Sequence, residues 1–100
     1  MTTTAEIVTF RLNSGATHTQ FLDAMHRMQP FVDRHGGILG RTLSCDADGI
    51  WTDHVLWDSL EAAQELAAAF MTAPETEMAR ALVDADTVQM RHATVHLSRE

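Results

Sequence analysis

Hydrophobic and polar positions alternate at the start of the chain. AEIVTFRL, residues 5–12, is rich in β-branched and aromatic side chains and stops at Asn13-Ser14-Gly15, which predicts a strand closed by a turn. Val8, Phe10 and Leu12 fall on one face, Ile7, Thr9 and Arg11 on the other. Both faces carry apolar groups, so neither is expected to be wholly solvated. The period then changes. Phe21, Met25, Met28 and Val32 recur at spacings of four, three and four, a single helical stripe with Asp23, Arg27 and Asp33 away from it. Thr17 with Gln20 three residues later makes a capping box for the start of this helix. Pro30 lacks a backbone donor and predicts a kink, and Gly36 or Gly37 predicts the stop, because glycine enters the left-handed cap conformation cheaply.

ILGRTLSC (38–45) and IWTDHVLW (50–57) flank DADG, whose Asp48-Gly49 pair suits a tight reversal, so two strands form a hairpin. Asp58 or Ser59 then caps a second helix that buries Leu60, Ala63, Ala67 and Phe70. Its alanines at 62, 63, 67, 68 and 69 permit close approach to a sheet. Pro74 in a first-turn position predicts a short helix over PETEMARALV, residues 74–83, and TVQMRHATVHL (87–97) reads as the last strand. Strand, helix, strand, strand, helix, strand is the ferredoxin-like order, an α+β fold with a four-stranded antiparallel sheet and its helices on one face. Right-handed crossovers place the first strand beside the third at the centre, with the second and last at the edges.

Two helices cover one sheet face only. Leaving even four apolar side chains wet on the other would forgo roughly 6 kcal/mol at ~1.5 kcal/mol each, so a homodimer of back-to-back sheets is expected. One hundred residues suit a single domain over 1–100, and 45% hydrophobic with 21% charged residues is ordinary for a globular protein. The formal charge of −7 would repel phosphate backbones, which excludes nucleic acid as a partner. Cys45 is the only cysteine and forms no internal disulfide; the expectation for it is a structural thiol. The start of the chain lacks a basic stretch and a long apolar core, and no apolar run reaches the ~18 residues of a membrane span. No membrane partner and a cytoplasmic location are therefore expected.

Candidate chemistry concentrates on the third strand. Alternation puts Trp51, Asp53, Val55 and Trp57 on one face and Thr52, His54 and Leu56 on the other. Two tryptophans flanking a carboxylate either fill a core or dimer interface, or form an aromatic wall that holds a flat apolar ligand while Asp53 handles a proton. Glu6 on the first strand and His92 on the last would lie side by side on neighbouring strands, as a general base with its orienting partner or as a structural ion pair. Arg41 pairs with Asp53 across the hairpin or meets an anionic substrate, and the pair is favoured. The candidate catalytic residues are thus Glu6, His92 and Asp53, and the candidate substrate-binding residues Trp57, Trp51, His54 and Arg41. No metal is expected. His92 and His96 are four strand residues apart, roughly 13 Å, and His18 and His26 about 12 Å apart along a helix, too far to share one ion.

Over roughly residues 5–97, AEIVTFRL, GGILGRTL, DGIWTDHVLWDSLEAA and VQMRH resemble the dimeric α/β-barrel superfamily. That group holds antibiotic-biosynthesis-type monooxygenases, haem-degrading monooxygenases and many uncharacterised small proteins. The resemblance implies a homodimer with one pocket per subunit between sheet and helices. Haem-degrading members use an Asn on the first strand and a Trp and a His in the second-helix region. Here the first strand offers Glu6 and Thr9, EAAQELAAAFMTAPETEMAR (61–80) holds neither Trp nor His, and no Tyr occurs, which argues against haem degradation. Other members oxidise aromatic polyketides or isomerise lactones without a metal or separate cofactor. The resemblance thus implies a small-molecule enzyme or binding protein, cofactor-free and monooxygenase-like, with a small apolar, aromatic or polyketide-like ligand. The competing expectation is a non-catalytic dimeric ligand-binding or stress-related module whose aromatic residues make the subunit interface. Space between helices and sheet filled by Phe10, Phe21, Met25, Leu66 and Phe70 would favour it.

Overall fold

The computed structural model describes residues 2–99. The chain runs β1 (Thr4–Leu12), α1 (His18–His35), β2 (Ile38–Cys45), β3 (Trp51–Trp57), α2 (Leu60–Phe70), a 3-10 turn (Pro74–Thr76), α3 (Glu77–Leu82) and β4 (Val83–Thr94). Every neighbouring pair of strands is antiparallel and the sheet order is β2-β3-β1-β4, the ferredoxin-like arrangement expected from the element order.

The local signals act as their chemistry requires. Thr17 Oγ1 accepts from the Gln20 N–H at 3.1 Å while Gln20 Oε1 accepts from the Thr17 N–H at 2.9 Å, so two free donors at the start of α1 are satisfied reciprocally. The helix continues through Pro30 to His35, since proline's fixed φ is itself helical and only one donor is lost. It ends at Gly36 and Gly37, with φ of 68° and 84°. Gly37 is also a point of close approach. A Cβ there would lie 2.9 Å from Ala62 Cβ, and the Gly37 carbonyl accepts from the Asp58 N–H at 2.8 Å, which ties the start of β2 to the start of α2. Asp46 Oδ1 accepts from the N–H groups of Asp48 (2.9 Å) and Ile50 (3.0 Å) and closes the hairpin turn, with Gly49 at φ 84°. Of the two candidate caps for α2, Ser59 serves, its Oγ accepting from the Ala62 N–H at 3.1 Å.

The C-terminal third departs from the pattern reading. The helix expected over 74–83 divides into the 3-10 turn and the six-residue α3, with Thr76 fully buried between them and its hydroxyl bonded to the Phe70 and Ala73 carbonyls at 2.6 and 3.0 Å. β4 starts at Val83 rather than 87 and ends at Thr94 rather than 97. Long-range pairing is the reason. Leu12 opposes Val83 and Arg11 opposes Asp84, past a register shift between Thr9 and Arg11 where Thr87 Oγ1 accepts from the Arg11 N–H at 2.8 Å. Backbone pairing with β1 thus draws Asp84 into a strand that its own propensity disfavours, and Asp86 follows in the irregular stretch, its N–H donating to Asp84 Oδ1 at 3.1 Å.

All three helices pack on one sheet face. Phe10, Trp51, Val55 and Trp57 point into that layer against Phe21 of α1 and Ala63 of α2. Met28, Phe31 and Val32 of α1 pack with Ala79 of α3. The opposite face carries Ile7, Thr52, His54 and Leu56 and has no helix over it.

Candidate functional site

Register places two charged pairs on the helix-facing side of the sheet. Glu6 opposes Val55 on β3 and His92 on β4, and Arg41 of β2 opposes Val55 from the other side, so Arg41, Val55, Glu6 and His92 form one row across four strands. The adjoining row runs Leu43, Asp53, Val8, Met90. Glu6 Oε2 lies 2.8 Å from His92 Nε2, with the two side chains 10% and 26% exposed. Arg41 grips Asp53 with both prongs, Nε to Oδ1 at 2.9 Å and Nη2 to Oδ2 at 2.6 Å, and Nη2 also touches Met25 Sδ at 3.6 Å. Burial by itself would push the Arg41 guanidinium down. The Asp53 hydrogen bond and charge, with the charge of Glu6 adding, outweigh it and hold the cation above its ordinary value.

These groups line a cavity of ≈500 Å3 between sheet and helices. Glu6, Asp53 and Arg41 stand on its sheet side; Val8, Phe10, Phe21, Met25, Met28, Val55, Leu66 and Phe70 supply apolar wall. The five side chains whose packing would have closed this space, Phe10, Phe21, Met25, Leu66 and Phe70, line it and leave it open. Exposed Met71, at the end of α2, and exposed Val88 and Met90, on β4, border it. A volume in the ≈300–1,000 Å3 range with a few convergent polar groups is the usual form of a small-molecule site.

Four of the seven candidate residues, Glu6, Asp53, Arg41 and Trp57, meet in this cavity. Trp57 is 1% exposed and its Nε1 is a buried donor without a hydrogen-bond partner among the described residues. His92 does not line the cavity and reaches it through Glu6. The carboxylate is therefore the group that faces the space, and the imidazole stands behind it. Trp51 is not in the wall: it packs against Phe21 with ring centroids 4.9 Å apart and against His18 at 5.0 Å, a packing role. His54 opposes Ile7 and Thr42 on the helix-free face, so the sheet itself separates it from this cavity.

One lining cation escaped the pattern reading. Arg80 of α3 donates Nε to Thr76 Oγ1 at 3.0 Å and Nη2 to the Ala73 carbonyl at 3.2 Å, with no carboxylate partner among the described residues. EMARAL reads as an ordinary short helix, and nothing local marks its arginine; the fold carries it to the cavity. Among the described residues, no three His, Cys, Asp or Glu side chains gather as a metal site. The arrangement can accept a proton at Glu6, offer hydrogen bonds from Arg41 and Arg80, and hold a largely apolar body against its walls.

No protein-family model matches the chain, and no curated protein matches it. Solved structures do. The fold is that of SnoaB from Streptomyces nogalater, a cofactor-independent oxygenase whose N63A mutant superposes with a TM-score of 0.76 at 18% identity over 98% of this chain and 97% of that one. A Bordetella bronchiseptica protein classed with the antibiotic biosynthesis monooxygenases gives 0.78 at 16% identity over 97% and 100%. A protein of unknown function from Nitrosomonas europaea gives 0.71 at 14% identity over 100% and 95%. The shared property is the ferredoxin-like fold, which among these structures is carried by proteins named as enzymes and by proteins of unknown function alike.

Proposed function

We propose that the cavity binds a flat, largely apolar molecule of aromatic or polyketide-like character and that the protein oxidises it as a cofactor-independent, monooxygenase-like enzyme. The observation that carries this reading is the open ≈500 Å3 space with apolar walls and a carboxylate, Glu6, facing into it. In such a site Glu6 takes a proton from an acidic hydroxyl or methylene of the ligand, and His92 orients the carboxylate and shares the charge. The resulting carbanion or phenolate is electron-rich and is the species that reacts with dioxygen. Asp53 and Arg41 hydrogen-bond the oxygen substituents, and the Trp57 ring forms part of the wall. The likeness to SnoaB supports this at the level of fold, and the residues above make the case for the site.

The test is conversion of 1,8-dihydroxyanthrone, in which anthrone plus O2 gives anthraquinone plus water, followed by oxygen uptake and absorbance. Glu6→Gln should lower the rate at least ~100-fold, the usual contribution of a general base. Absence of both binding and uptake removes the proposal. Tight binding without uptake favours a non-catalytic ligand-binding module instead.

The same reading includes a symmetric homodimer that covers the helix-free face with Ile7, His54 and Leu56 at its centre, formed by a single-domain chain in the cytoplasm. Among the described residues no helix is long and apolar enough to cross a membrane. Light scattering at micromolar concentration should give twice the mass of the chain, and a monomer mass would refute the dimer.

A further inference from the structure

A groove of ≈470 Å3 runs along the outside of the layer, between α1 and the edge strand β2. Met25, Val32, Ile38 and Arg41 line both this groove and the cavity, so the partition between the two is one side chain thick. Arg41 is its polar element. Its Nε and Nη2 are engaged with Asp53 and Met25, whereas Nη1 has no hydrogen-bond partner among the described residues and the side chain remains 21% exposed. Met25, with three rotatable bonds and a weak 3.6 Å contact to Arg41, is the part of the partition that yields most readily.

We infer that the groove is a second compartment of the same ligand site and takes an uncharged, hydroxyl-rich arm, sugar-like in chemistry, attached to the flat body held in the cavity. The inference rests on the cavity being the ligand site. The rim explains the choice of arm. His26, Gln29 and Asp33 follow one another along α1 at helical spacing and border the groove, and Gln29 Nε2 donates to Asp33 Oδ1 at 2.8 Å, which leaves acceptors and one amide donor free. The Asp33 carboxylate disfavours an anionic arm, and the free Nη1 edge of Arg41, its charge matched by Asp53, offers a donor to a neutral hydroxyl at the inner end. Exposed Leu22 and half-buried Leu43 also line the groove and suit the C–H face of a ring that carries its hydroxyls towards His26, Gln29 and Asp33.

The experiment compares 1,8-dihydroxyanthraquinone with its mono-O-glucoside, each titrated against the full chain by tryptophan fluorescence. In the wild type the glucoside is expected to bind about tenfold more tightly, the worth of one or two added hydrogen bonds. Gln29→Trp, which fills the groove, should abolish that preference, and Gln29→Ala should reduce it. Should Gln29→Trp fail to melt cooperatively, Gln29→Ala carries the comparison. Equal or weaker binding of the glucoside by the wild type, or a preference untouched by both variants, overturns the inference while the aglycone's binding preserves the cavity reading. Binding of neither compound overturns both. Light scattering decides the other occupant: if Gln29→Trp halves the mass, the groove belongs to a subunit contact and the inference fails.

Discussion

The layer between sheet and helices has two ends built from similar residues, one solid and one hollow. At the solid end Phe10, Phe21 and Trp51 interlock, with Phe10 and Phe21 centroids 5.5 Å apart edge to face and Phe21 and Trp51 at 4.9 Å, and the two phenylalanines back onto the cavity as its end wall. At the hollow end Trp57 and Val55 border ≈500 Å3 of space. Trp51 and Trp57 lie on the same face of one strand and are 5% and 1% exposed, so neither position nor burial tells them apart. What differs is the helix opposite. The start of α1 brings Phe21 and His18 onto Trp51, whereas α2 meets Trp57 with Ala62, Ala63 and Leu66 and presents Ala67 to the cavity between Leu66 and Phe70. Short side chains let the helix approach on one side and leave space on the other. A large aromatic residue therefore does not mark a pocket; the small residues facing it do.

This contrast can be broken by mutation. Phe21→Ala at the solid end should cost about 3–5 kcal/mol in urea unfolding, the transfer term plus a new void. Met90→Ala at the hollow end removes a half-exposed side chain and should cost less than ~1 kcal/mol while weakening ligand binding. Equal costs would refute the contrast. Asp53→Asn leaves the Arg41 cation with half its fork unpaired at 18–21% exposure and should cost about 1–2 kcal/mol. Smaller still is Trp57→Phe, below ~1 kcal/mol, because the lost area is offset by removal of a buried donor that has no partner. A loss near that of Phe21→Ala would mean that the Nε1 proton is satisfied after all.

The smallest effect concerns Glu75. Its hydrogen bond to Arg34 is the main reason its carboxyl titrates below the ordinary range. A carboxyl depressed in the folded state contributes stability above its unfolded titration range and loses it as pH falls through the folded value. Wild type and Glu75→Gln should thus differ slightly at neutral pH and converge on acidification. The pair is largely exposed, so ~1 M salt should erase the difference as well.

Much of this architecture was legible in the residues because its signals are local. Thr17 and Gln20 are close enough in sequence to cap one another, the DADG turn brings its own acceptor in Asp46, and the change of period from two to three or four separates β1 from α1. Glu6 and His92 could be matched through the strand order alone, and their 2.8 Å contact follows from it. The start of β4 could not be read, because Val83 and Asp84 become strand only when the end of β1 pairs with them. Which of Glu6 and His92 faces the cavity, which tryptophan borders it, and the arrival of Arg80 beside it were likewise beyond pattern. Each depends on how far apart three helices and a sheet come to rest.

By itself, then, the sequence determined the order of elements, their caps and turns, and the two cross-strand charge pairs, since these need only neighbours along the chain or across a strand ladder. The tertiary structure decided where the layer fills and where it stays hollow. Packing distance is set jointly by side chains from elements far apart in sequence, Gly37 against Ala62 as much as Phe21 against Trp51, and no single segment encodes that sum.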